Sequence, residues 1–293
     1  MNFITKIPID KGWSSDKKYC AINEIGERFL LRISDISQYE KKQSEFNMMK
    51  QVSALGVPMC QPIEFGTCDE GVYSVQSWID GEDAEDVVIE LSNEEQYSYG
   101  FKSGCILKKI HSFSAPVTQE DWEIRFNRKM DYKIQKYQEC SIKYNNGDAF
   151  IDYINANRHL LKNRPQVYQH GDYHIGNMMI DRKKGKLYVI DFNRNDFGDP
   201  WEEFNRIVWC AQKSSHFASG MVNGYFNNEV PFEFWQLLAL YISSNTLSSV
   251  YWAIPFGQGE VDIMLAQAQD ILSWYNNMSN PVPTWYFSEQ KNG

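Results

Sequence analysis

Long apolar runs are missing from this chain of 293 residues. No stretch approaches the roughly 18 consecutive apolar residues that a membrane helix needs, so no membrane partner is expected. The start, Met1 to Lys6, carries none of the charged segment, apolar core and small-residue cleavage site of a signal peptide. Cysteine is sparse: Cys20, Cys60, Cys68, Cys105, Cys140 and Cys210 are scattered, without a C-x-x-C pair. That excludes a disulfide framework or a zinc cluster and points to reduced thiols in a cytoplasmic protein. His159, His174 and His216 follow no metal-site spacing, and His111 reads as a core or capping residue at a helix end. An excess of positive charge is lacking too. Against 38 acidic residues stand 29 basic ones, a net charge of −9, the opposite sign to a general nucleic-acid binder. Internal repeats and low-complexity segments are absent.

What is present is enough apolar material for a sizeable core. Hydrophobic residues make up 43% and charged residues 23%, which argues against long disorder, and the length allows one large domain or two ordinary ones. The first eighty residues read as strands. Lys18 to Ile22 and Arg28 to Ile33 flank the turn Asn23 to Glu27, with Phe29, Leu31 and Ile33 on one face and Leu30 and Arg32 on the other. A helical pattern runs from about Gln38 to Leu55 and stops at Gly56, with Phe46, Met49 and Val52 on one side. Val72 to Ile79 reads as another strand, closed by Asp80-Gly81. After an acidic stretch, 82–95, the chain turns helical, except for short strands between Val167 and Phe192. The expected fold class is α+β. Residues 1–80 would form a small antiparallel-sheet lobe, 76–81 a linker, and 82–293 a larger, mostly helical lobe.

Chemistry concentrates in Tyr168-Gln169-His170-Gly171-Asp172-Tyr173-His174-Ile175-Gly176-Asn177, followed by Ile190-Asp191-Phe192 and Gly198-Asp199-Pro200. An Asp in a turn, an Asn five residues later at a strand start and a second Asp ending the next strand can meet at one point. One carboxylate can orient a hydroxyl and accept its proton. The amide oxygen and the other carboxylate suit a hard cation such as Mg²⁺ on a nucleotide phosphate. Phosphoryl transfer relies on such positioning and charge neutralisation.

H-G-D-x-x-x-x-N with I-D-F and G-D-P resembles the aminoglycoside phosphotransferase and choline kinase group, distant relatives of protein kinases, over nearly the whole chain. The resemblance implies a protein-kinase-like bilobal fold and transfer of the γ-phosphoryl group of MgATP or MgGTP. Asp172 would be the catalytic base, Asn177 and Asp191 the magnesium ligands, His170 a support of the loop backbone, and Asp199 a brace for the segment after the metal ligand. Such folds place a cation on the third strand against the α/β-phosphates and a helix Glu beside it. Here these are Arg32 and Glu45, with Glu40 as competitor. The phosphate-covering loop would be Lys11 to Asp16; it lacks G-x-G-x-x-G and offers Ser14 and Ser15. The linker, with Trp78 and Ile79, would present backbone groups to the nucleobase.

The acceptor is read from aromatic and acidic residues of the helical lobe. Glu202, Glu203 and Trp252 are candidates for an ammonium group, through ion pairing and cation–π attraction. By the resemblance the acceptor is a hydroxyl-bearing, cationic small molecule, with an aminoglycoside antibiotic, and so resistance, leading. Choline, an amino alcohol, a sugar or a macrolide are alternatives. A protein kinase is disfavoured because Gly171 stands where regulated kinases place Arg, little room separates Asp191 from Asp199, and no A-P-E follows. A nucleotide-binding scaffold is disfavoured because Asp172, Asn177 and Asp191 are all present. No obligate protein partner is implied.

Overall fold

The computed structural model describes residues 1–10 and 16–288. Strands β1 (Thr5–Pro8), β2 (Lys17–Ile22) and β3 (Arg28–Ser34) precede helix α1 (Tyr39–Ala54); β4 (Pro62–Cys68), β5 (Gly71–Ser77) and the two-residue β6 (Glu82–Asp83) follow. A single turn, α2 (Ala84–Val87), leads to α3 (Asn93–Ile110), α4 (Trp122–Glu139) and α5 (Asp148–Asn157). Short strands β7 (Val167–Gln169), β8 (Met178–Asp181), β9 (Lys186–Val189) and β10 (Asp196–Gly198) come next. The chain ends in α6 (Ile207–Lys213), α7 (Ser215–Phe226), α8 (Phe232–Ala253) and α9 (Gln258–Trp274). It divides into two compact units, Met1–Val87 with Gly176–Asn195, and Val88–Ile175 with Asp196–Gly293.

The first unit is built on a five-stranded antiparallel sheet of order β1-β2-β3-β5-β4. Alternation in β3 sorts its side chains as the pattern predicts. Leu31 and Ile33 pack with Ala21 and Val75 in a closed cluster, while Leu30 and Arg32 line a cavity. Helix α1 buries Phe46, Met49 and Val52 and ends at Gly56, whose φ of +70° continues no helix. Strands β1 and β4 escape the sequence pattern because neither alternates cleanly; β1 is exposed throughout, and β4 carries Pro62 and Gly66.

The boundary differs from the one that composition suggests. Residues 176–195, expected among the helices, cluster with the sheet unit. Strand β8 pairs antiparallel with both β6 and β9, and Val189 N–H donates to Pro58 O at 2.9 Å. The hairpin β8–β9 is thereby sewn to the chain that leaves α1.

The second unit is helical. Helices α3 and α7 approach so closely that a Cβ on Gly100, Gly104, Gly220 or Gly224 would overlap a backbone carbonyl of the other helix. Helix α3 starts with a capping box from Ser92 and Glu95, and α7 with the Ser214 hydroxyl accepting from Phe217 N–H at 2.9 Å. Helix α8 is buried along most of its length, and its Ser243 and Thr246 hydroxyls donate to carbonyls one turn back. Among the described residues no helix is long and apolar enough to cross a membrane.

Candidate active site

In the first unit the sheet, α1 and the β8–β9 hairpin surround a cavity of about 300 Å³. Arg32, Glu45, Trp78, Ile79, Asn177 and Asp191 all line it. The hairpin register explains two of them. With Met178 opposite Val189, the next pair outward is Asn177 and Ile190, and Ile190 N–H donates to Asn177 O at 3.0 Å. Asp191 then leaves the strand with φ +69° and ψ +59°, a left-handed conformation that few non-glycine residues adopt. Strain of this kind is typical of positions kept for a ligand.

Arg32 Nη1 donates to Asp191 Oδ1 and Arg32 Nη2 to Asp16 Oδ2, each at 3.0 Å. Burial opposes the charge of Arg32, but Asp191 and Asp16 more than offset it and hold the guanidinium above its usual range. Asp16 also accepts from the Ser34 hydroxyl at 2.7 Å and from Lys42 Nζ at 3.0 Å. Burial pushes its carboxyl up, yet Ser34, Arg32 and Lys42 together draw it below the usual range. Lys18, also on the cavity wall, is lowered chiefly by burial and next by the charge of Arg32. The helix partner expected of Arg32 is therefore corrected. Glu45 pairs instead with Lys42 at 3.2 Å and Lys41 at 3.9 Å, and Asp16 holds the arginine. Ser14 and Ser15 lie outside the described residues.

The donor set fits magnesium. Asn177 and Asp191 present oxygen-bearing side chains on one cavity wall, and Mg²⁺ is commonly bound by one or two protein oxygens with phosphate and water completing the shell. Among the described residues no group of three or more His, Cys, Asp or Glu side chains gathers into a closed metal site.

In the second unit the turn 170–175 is held by a buried acid. Glu203, 3% exposed, accepts His170 N–H at 2.6 Å and Gly171 N–H at 2.7 Å, and lies 3.5 Å from His111 Nε2. Gly171 has φ +84°, which suits glycine and turns the chain sharply before Asp172. His170 is fully buried, and its Nδ1 accepts Asp172 N–H at 3.3 Å. Asp172 Oδ1 stands 2.7 Å from Arg206 Nε and 3.6 Å from His174 Nε2. Asp199, also fully buried, takes Arg164 through both oxygens at 2.6 and 3.1 Å and the Tyr241 hydroxyl at 2.7 Å.

A model of the phosphotransferase enzyme family matches residues 6–235. This chain belongs to that family. Among solved structures, the phosphotransferase is similar to aminoglycoside phosphotransferase APH(4)-Ia, with 14% identity and a TM-score of 0.65 over 92% of this chain and 94% of that one. It is similar to a choline/ethanolamine kinase family protein from Mesorhizobium loti, with 14% identity and a TM-score of 0.65 over 94% and 90%. An amicoumacin kinase, hAmiN, in complex with AMP-PNP, Ca²⁺ and Ami, gives 12% identity and a TM-score of 0.63 over 94% and 90%. At these identities the likeness establishes the fold, kinase-like and α+β. No curated protein matches the chain.

Two substrate expectations for this phosphotransferase are overturned. Glu203 is buried against backbone N–H groups and His111, so it has no oxygen to offer an ammonium. Glu202 is engaged by Lys129 Nζ at 3.3 Å and Gln169 Nε2 at 3.2 Å; burial pushes its carboxyl up, but the charges of Lys129 and Lys133 and these two hydrogen bonds outweigh it and draw the carboxyl down. Trp252 is 42% exposed and stands 4.8 Å from the Phe256 ring. Pattern reading missed Asp16, Lys42, Arg164 and Arg206. For Asp16 a signal existed: an acid at the strand entry, where Lys18 pairs with Arg32 across the sheet.

Proposed function

We propose that the protein transfers the γ-phosphoryl group of a purine nucleoside triphosphate to a hydroxyl of a small molecule. One observation carries the reading: Arg32, Asn177 and Asp191, remote in sequence, line one cavity, with Arg32 bridging Asp16 and Asp191. In this reading Trp78 and Ile79 flank the base and Arg32 meets the phosphates, its fork able to take two oxygens at once. Asn177 and Asp191 hold Mg²⁺, which when bound neutralises phosphate charge. Asp172 accepts the proton of the acceptor hydroxyl as its oxygen bonds to the γ-phosphorus. The bond from that phosphorus to the bridging oxygen breaks, and the diphosphate leaves with the electron pair.

The exposure of Asp191 supports the metal role, because its side chain is 36% exposed and can trade Arg32 for an ion. An aminoglycoside acceptor follows from the resemblance and from some neighbours' names. Two of the groups expected to receive its ammonium charge, Glu202 and Glu203, are committed elsewhere, so the reading stops here at a hydroxylated small molecule. Titrating ATP and GTP with and without magnesium tests the nucleotide side. Magnesium-dependent binding is expected, weakened in Asp191→Asn; binding indifferent to both metal and Asp191 would contradict the reading.

A further inference from the structure

The charges around Asp172 that the proposed reaction leaves unused are cationic. Helix α4 carries Lys129 and Lys133 one turn apart on one face, and the turn after Asp199 carries Glu202 and Arg206. Lys129 occupies Glu202, and Arg206 stands on Asp172. Half-buried Lys133 lies close enough to Lys129, Glu202 and Arg206 for all three charges to act on it. Among the described residues it makes no hydrogen bond or ion pair of its own. Burial, and next the charge of Lys129, push its ammonium down to about 7, with Glu202 alone opposing. Glu202 thus answers both lysines and Asp172 the arginine, so three cations share two carboxylates and the group has one positive charge in excess.

A cationic acceptor brought to Asp172 would meet Arg206 and Lys133 with like charge, and the acids expected to receive it are engaged. An anionic acceptor would supply the missing counterion. Arg206 can serve it while keeping Asp172, since a guanidinium carries five N–H donors. We propose that the acceptor is an acid: a small hydroxylated molecule whose carboxylate or phosphate docks on Lys133 and Arg206 beside Asp172. This rests on the phosphotransferase reading and names the substrate class of the same site.

The test uses one three-carbon skeleton with four charges: glycerol, serinol, glycerate and glycerol phosphate, each at equal ionic strength. The readout is the rate at which acetic anhydride acylates Lys133 in the full chain at neutral pH, followed by peptide mass spectrometry. Glycerate or glycerol phosphate is expected to slow labelling by about threefold or more, and whichever protects better identifies the anion. Glycerol and serinol are expected to leave the rate unchanged. Protection by serinol, or by neither anion, would overturn the proposal. Because this readout needs no turnover, magnesium-dependent nucleotide binding measured on the same sample separates a failed acceptor class from a failed kinase reading. With an acidic acceptor in hand, Lys133→Met is expected to raise its KM about tenfold with kcat little changed, and Lys133→Arg to restore most of the loss. An unchanged KM in Lys133→Met would also overturn it.

Discussion

Arg32 in the first unit and Asp172 in the second are both charged groups facing an opposite charge, yet their supports are built differently. Arg32 is held directly, by Asp16 and by the part-exposed Asp191. Asp172 has an ion pair too, with Arg206 at 2.7 Å, but the chain that carries it is fixed by a backbone turn that the buried Glu203 grips by two N–H groups. A direct ion pair on a cavity wall can change partners when phosphate and metal arrive. A turn pinned by a buried acid keeps its geometry whatever is bound. On the proposed reading, the contrast separates carboxylates that exchange ligands from those that fix the frame.

The sharpest way to break the contrast is at Asp172, the base of the proposed reaction. Asp172→Asn keeps the turn and its bracing but removes the proton acceptor, so turnover is expected to fall by about a hundredfold to ten-thousandfold. Steady-state kinetics at saturating nucleotide would measure it. Glu203→Ala attacks the frame instead. It leaves the buried His170 N–H and the part-buried Gly171 N–H without an acceptor and is expected to cost about 3 kcal/mol in chemical unfolding. A loss of activity without a loss of stability would show that Glu203 does more than brace.

Asp191→Asn probes the exchangeable pair. Loss of its charge frees Arg32 on one side and weakens the proposed metal site, so nucleotide affinity in magnesium is expected to drop about tenfold, with a smaller change without metal. Calorimetric titration separates the two. Glu45→Gln is the mildest, because Glu45, though largely buried, meets Lys42 and Lys41 while Asp16 and Asp191 hold Arg32. Its expected effect on nucleotide affinity is under about twofold, as for most part-exposed ion pairs. An effect as large as that of Asp16→Asn would restore the helix glutamate to the role expected of it.

The turn before Asp172 and the β8–β9 hairpin were legible because their residues sit close in sequence. A turn signal located Asp172, hairpin signals located Asn177 and Asp191, and strand alternation put Arg32 on the face opposite Leu31 and Ile33. The partner of Arg32 was not legible. Glu45 and Asp16 are both acids within reach in sequence, and only the sheet register and the aim of Lys42 decide between them. Glu203 misled for a related reason. An acid beside aromatic residues reads the same whether it faces a ligand or a buried N–H pair, and burial is set by helices far along the chain. Residues 176–195 were assigned to the helical part because strand pairing with Glu82 and Asp83 leaves no mark in composition.

The most direct test of the account is transfer of labelled γ-phosphate from ATP and GTP to a panel of small hydroxylated acceptors, acidic and ammonium-bearing, by the parent chain and Asp172→Asn. The account predicts magnesium-dependent transfer by the parent and its near-complete loss in the variant, which still binds nucleotide. Equal transfer by the two proteins would contradict it.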